Sequence, residues 1–229
     1  AGANDEGSRR EERGGGATRR VVAREEPSWR ATVVARRPLL YDAGADPAQD
    51  RPAHVRAAST ASWFGERLAV LQDDALFVAL VDPRGGGVEA VALPAGEGGE
   101  RLFDERRGNK GRKLDLEAGF VLARPDGERL IGLGSGSSPR RERILVVRRA
   151  AGSFDVRSVD AHALYASLRE LTDFAGSELN VEGACVAAGG AVVRLFNRGN
   201  GAPADGRLPV DATCELDAGE LLRWLEGER

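Results

Sequence analysis

Two glutamates, Glu117 and Glu182, stand at matching places in two similar stretches, Asp115-Leu-Glu117-Ala and Asn180-Val-Glu182-Gly. Each stretch runs into an apolar segment closed by a loop of small polar residues and arginine. Carboxylates gathered in this way suit a hard cation such as Ca²⁺, or general acid–base work if one of them is held protonated. Asp73, followed by Asp74, comes directly after Leu68-Ala-Val-Leu-Gln and would add oxygen ligands at the same place. Glu117, Glu182 and Asp73 are therefore the metal-ligating candidates. The competing readings are structural: each Glu bonded to a neighbouring backbone or arginine, and Asp73-Asp74 a turn pair with local hydrogen bonds. Asp115 has Asn180 as its counterpart, which suits hydrogen bonding better than an obligatory charge.

The loops that follow carry the complementary charge. Gly134-Ser-Gly-Ser-Ser138 precedes Arg140, Arg141 and Arg143, and backbone N–H groups with guanidinium forks bind phosphate. It is not a nucleotide-binding Gly-Lys-Ser/Thr loop; the alternative is a flexible strand connection with solvated arginines. Asn197-Arg198-Gly-Asn-Gly201 occupies the matching place, so the ligand-binding candidates are Arg140, Arg141, Arg198 and Asn197. Serine hydrolase chemistry has little support. A Gly-x-Ser-x-Gly elbow is absent, and His54 and His162 are the two available bases, both expected at the surface. Cys185 and Cys214 have no CxxC partner and are expected as buried free thiols.

Loops of this kind must be presented by strand ends. Arg67–Gln72, Leu76–Asp82 and Val88–Leu93 are short Val/Leu-rich runs separated by Asp, Pro and Gly, the pattern of an antiparallel meander. The pattern recurs from Gly119 to Val159 and again from Val181 to Phe196, and Trp29–Ala35 reads as a further strand. Apolar residues three and four apart predict helices over 161–175 and 217–227, the second capped by Asp217 with Glu220 three residues on. A parallel βαβ fold would need a helix after nearly every strand. The strand sets resemble one another: Glu117 and Glu182 are 65 positions apart, and Ser59 lies 58 before Glu117 in the same frame. Repeated sets of four short strands are what a β-propeller blade requires. The expected architecture is all-β: a disordered Arg/Gly/Glu-rich arm over 1–28, then a partial propeller over 29–229. About three blades are recognisable where propellers have roughly 4–8, so the propeller is expected to be incomplete.

These residues carry a resemblance. Lys113-Leu-Asp-Leu-Glu-Ala, followed by Gly134-Ser-Gly-Ser-Ser and Arg140, Arg141 and Arg143, resembles the signature of a bacterial β-propeller group related to the phytase-like and esterase-like propellers. Asn180-Val-Glu-Gly with Asn197-Arg-Gly-Asn-Gly resembles the next blade, and Ala58-Ser with Gln72-Asp-Asp the first. The resemblance implies a propeller fold and little chemistry. Ligand binding through a central acidic and arginine-bearing face is the leading expectation, with catalysis unassigned. The phytase-like side implies a Ca²⁺-assisted phosphoester or ester hydrolase, with Glu117, Glu182 and Asp73 on the metal and Arg140, Arg141 and Arg198 on phosphate. A protein-interaction scaffold is the third reading.

Composition narrows the partners. The 229 residues balance 33 Lys+Arg against 36 Asp+Glu, a net charge of −3, which argues against nucleic acid as a partner because phosphate neutralisation needs a basic excess. A small molecule or a protein is the expected ligand. Apolar runs fall short of the roughly 20 residues that span a bilayer, so no membrane partner is expected. The first residues lack the apolar core of a signal peptide, which favours the cytoplasm. Met is absent even at position 1, pointing to a processed product or a fragment. Lys110 and Lys113 are lysine and the other 31 of the 33 cations are arginine, a usage that reads as genomic bias.

Overall fold

The computed structural model describes residues 19–228, so most of the arm expected over 1–28 lies outside the described residues. Residues 19–36 belong to a unit separate from the body that begins at Arg37. They form neither helix nor strand, which corrects the strand expected at Trp29–Ala35. The reason is physical: β-branched residues favour strands by packing on a half-buried pleated surface, and here Trp29, Val33 and Val34 are 80%, 81% and 94% exposed.

The body is mostly β. Its first sheet holds β1 (Ala58–Phe64), β2 (Arg67–Gln72), β3 (Phe77–Val81) and β4 (Val88–Ala92). The second holds β5 (Leu116–Arg124), β6 (Gly127–Gly134), β7 (Arg143–Ala150) and β8 (Ser153–Asp160). The third holds β9 (Val181–Ala187), β10 (Val192–Asn197) and β11 (Ala212–Asp217). Each is an antiparallel meander with its strands in sequence order. The third sheet has three strands where a set of four was expected. After β11 the apolar spacing changes to that of a helix, and α3 (Ala218–Glu226) buries Leu221, Leu222 and Leu225 instead of adding an edge. Asp217 caps that helix by accepting from the Glu220 amide at 2.8 Å, as the sequence predicts. The helix expected over 161–175 is broken into α1 (His162–Glu170) and α2 (Thr172–Ala175). Leu171, with φ −78° and ψ 79°, leaves the helical region; the bend lets Phe174 and Ala175 reach the core while Leu171 stays half exposed.

The sheets stack face to face, and strand alternation explains how. On the second sheet, Leu116, Leu130, Leu145 and Val147 face the first sheet's Leu71, Val78 and Leu80. Ala118, Phe120, Ile131 and Ile144 face the third sheet's Val181, Val193 and Leu195, with Tyr165 and Leu221 from the helices closing the same core. The residue parity would put Leu116 and Ala118 on one side. A bulge separates them: Leu116 pairs with Gly134 and Ala118 with Leu133, leaving Glu117 as the extra residue. The same irregularity falls at Ser59, between Ala58 and Thr60, and at Glu182, between the pairs Val181↔Asn197 and Gly183↔Phe196. The first strands of the three sheets lie side by side, β5 between β1 and β9. Gly119 permits that closeness. A Cβ there would come within 2.6 Å of Leu71 Cδ1 and 2.9 Å of Thr60 Cγ2, so a side chain would force the first two sheets apart.

Candidate functional site

Where the strands of the first two sheets begin and end near β1 and β5, the chain gathers its acidic residues. The segment before β5 makes a short 3₁₀ turn over Lys110–Arg112, and Asp115 then adopts a left-handed φ of 57°. Its carbonyl accepts from the Ser135 amide at 3.0 Å. The Ala57 carbonyl likewise accepts from Asp73, and that of Asn180 from Arg198, each at 2.9 Å. Asp73, Ser135 and Arg198 therefore hold corresponding positions just past β2, β6 and β10.

Lys113 is the hub. Its Nζ lies 2.5 Å from Asp73 Oδ2, 2.8 Å from Asp115 Oδ1 and 3.8 Å from Asp74 Oδ1, with its side chain 9% exposed. Asp115 also takes Arg141 at 2.8 Å and the Ser135 hydroxyl at 2.6 Å. Arg141 in turn donates to Ser137 Oγ at 2.8 Å. Carboxylate oxygens of Asp73, Asp115 and Glu117 lie within 4.8 Å of one another. Glu117 has no hydrogen-bond or cationic partner among the described residues, unlike the two aspartates.

The pKa values follow from this unequal pairing. Burial pushes Asp115 upward, but Lys113, Ser135 and Arg141 outweigh it and hold the group below its ordinary value. At Asp73, burial and the Asp115 charge prevail over Lys113, so the group is raised. Glu117 is pushed to about 7, first by burial and then by the charges of Asp73, Asp115 and Glu182, which Lys113 offsets in part. Lys113 is raised despite burial, because Asp115 and Asp73 both hold its proton.

The loop from Gly134 to Glu142 is not the flexible connection its composition suggests. Tyr165 of α1 donates to the Gly134 carbonyl at 2.5 Å. Arg169 donates to the Gly136 carbonyl at 2.7 Å and pairs with the buried Glu142, which His162 also meets. Gly136, at φ +72°, lies so close against the Tyr165 ring that a Cβ would clash with it. Helix α1 thus braces the loop that brings Ser135 and Arg141 to Asp115. His162 is exposed, as expected, but it is one end of this brace; His54 is exposed and makes an isolated bridge with Leu40.

The remaining candidates scatter. Glu182 faces Glu117 electrostatically, yet its Oε1 already accepts from Asn180 Nδ2 at 2.8 Å and meets Arg198 at 3.4 Å. Arg140 leaves the cluster and pairs with Glu97 at 3.2 Å. Asn197 is buried with both ends of its amide used: it accepts from the Asn180 amide at 2.6 Å and donates to the Val210 carbonyl at 2.9 Å. It closes the loop, with its carbonyl oxygen and one of its two N–H donors engaged within the chain. The cysteines differ from expectation, Cys185 being exposed and Cys214 half-buried, because the third sheet covers only one of its faces.

Sequence reasoning missed Lys113 as a site residue. A signal was present: lysine is one of two exceptions in a chain that otherwise writes its cations as arginine. A compact ammonium fits between two carboxylates where a planar guanidinium fork does not. That same ammonium bears on metal binding. Three carboxylates would suit Ca²⁺, which takes 6–8 oxygens at about 2.3–2.6 Å, but Lys113 already neutralises two of them. A cation at Glu117 would share the site with Lys113 or displace it.

Residues 54–229 match the model of a family of unknown function, DUF6929. No curated protein matches the chain, and neither result carries the phytase-like relation.

Proposed function

Because the chain belongs to that family of unknown function, its role has to be read from the site itself, and we propose that it is a ligand-binding β-propeller module. Its central face would take a ligand bearing a cationic group. Three features support the propeller reading: the meander topology of each sheet, the side-by-side first strands, and the bulge shared by Ser59, Glu117 and Glu182. Equivalent bulges in neighbouring blades turn their side chains towards one mouth of a channel. Ring closure would then need further sheets beyond these three.

The observation that carries the binding reading is Glu117: half-buried, surrounded by three other carboxylates, and without a cation of its own. A divalent ion or a protonated amine placed there would relieve the repulsion that lifts its pKa. Arg141, and Arg198 at the edge beside Glu182, would meet an anionic portion of the same ligand. A Glu near neutrality is also suited to proton transfer, which keeps the Ca²⁺-assisted hydrolase as the second reading.

The test is thermal unfolding with Ca²⁺ and, separately, a small diamine, since a ligand of the native state raises the melting temperature. A rise in the wild type that vanishes in Glu117→Gln supports binding at this face. No rise with either cation refutes it. Release of phosphate from an aryl phosphate, lost in Glu117→Gln, would select the hydrolase reading.

A further inference from the structure

At the opposite ends of the same strands, four hairpin turns enclose a second concavity. The β1–β2, β3–β4, β5–β6 and β7–β8 connections of the first two sheets surround a groove of about 830 Å³, lined among others by Phe64, Gly65, Arg84, Glu128 and Arg149. It is separate from the carboxylate cluster and independent of the function proposed above.

Its charges are unequally employed. The Glu128 carboxylate accepts from the Gly65 amide. Asp82 accepts from the Arg84 amide at 2.8 Å, and Arg67 is paired with Glu89 at 2.8 Å. The guanidinium groups of Arg84 and Arg149 have neither a carboxylate nor a hydrogen-bond acceptor among the described residues. Arg149 is nevertheless held in place. Its Cζ sits 5.8 Å from the centre of the Phe64 ring and 5.6 Å from that of Phe154, and the two rings are themselves in contact at 6.3 Å. A guanidinium stacked on aromatic faces keeps its N–H fork free while losing little entropy on meeting a ligand. Asp82 and Glu128 are engaged by turn amides and Arg67 by Glu89, Glu66 stands in the lining without a cationic partner among the described residues, and Arg149 alone is both held by aromatic rings and without an acceptor.

We infer that this groove is an oxyanion-binding site in which Arg149, assisted by Arg84, recognises a phosphate or carboxylate group of a small molecule. The shared chemistry is a planar or tetrahedral anion offering two oxygens to one fork.

Calorimetric titration of the whole chain at low ionic strength, with pyrophosphate and with citrate as probes, tests this. Binding of either probe is expected, and the one that binds names the anion. Arg149→Gln is expected to weaken it about ten- to hundredfold, the effect of losing a charge-assisted pair. Arg149→Lys, which keeps the charge without the fork, should fall between. Absence of heat with both probes overturns the inference, as does unchanged affinity in Arg149→Gln. Arg84→Gln provides a second variant if Arg149→Gln does not fold, and unaltered binding in it would count against the site equally.

Discussion

Replacing Glu117 by Gln should stabilise the ligand-free protein at neutral pH while removing the group proposed to bind the cation. The magnitude follows from the site. A carboxyl lifted from 4.5 to about 7 prefers its protonated form in the native state, and each tenfold is worth about 1.4 kcal/mol. The whole displacement is about 3 kcal/mol, and solvent screening on the open side leaves about 2–3 kcal/mol. The direction is that of a raised acid. Its favourable contribution is complete below about pH 4.5, where folded and unfolded chains both carry the proton, and is lost as pH rises through about 7. Glutamine keeps the shape and cannot ionise. The two proteins should therefore be equally stable near pH 4.5, apart from a constant offset, and separate progressively to about 2–3 kcal/mol in favour of the variant by pH 8. For a chain of this size that is about 5–10 °C in melting temperature. Urea unfolding at half-unit pH steps reads it, and added salt should narrow the gap because three of the causes are charges. A variant less stable than the wild type at pH 8, or a difference that does not change with pH, would refute the account of Glu117 as an unpaired, repelled carboxyl.

Lys113→Met should be the converse, because it strands Asp73 and Asp115 in a partly buried site. A loss of about 3 kcal/mol at neutral pH is expected in urea unfolding, shrinking towards acid as the carboxyls protonate, and a loss below about 0.5 kcal/mol at pH 8 would count against the hub. Gly119→Ala should cost about 1–3 kcal/mol by overpacking the first two sheets. Shortening Leu71 in the same chain should recover part of it, and simple additivity of the two changes would show that they do not meet. A thiol reagent at pH 8 should modify one cysteine quickly and one slowly: Cys185 is exposed, whereas burial, with Glu215 beside it, pushes Cys214 up to about 12. Two equally fast thiols would contradict the closed face of the third sheet.

The sequence by itself marked most of the strands and their turns, since alternation and Gly/Asp/Pro punctuation are local properties, but it did not single out β11. It also marked Ser59, Glu117 and Glu182 as corresponding positions, through spacing alone. It could not show why they correspond. A bulge is a mismatch between two strands, visible only when Leu116↔Gly134 is followed by Ala118↔Leu133. Composition misread Trp29–Ala35, because a β-rich run becomes a strand only when another strand and a buried face receive it. It misread Gly134–Ser138 as slack, because the tightness comes from Tyr165 and Arg169, some thirty residues away in the chain. The choice among the arginines was likewise tertiary: Arg140 and Arg141 are neighbours in sequence, yet one pairs with Glu97 and the other with Asp115. What the tertiary structure alone decided is the distribution of charge partners. Lys113 can satisfy two carboxylates at bonding distance, and Asp73 from the end of β2 meets Asp115 and Glu117 at the start of β5 there. The third, Glu117, is left with its proton near neutrality because desolvation and repulsion act at distances that sequence spacing does not contain.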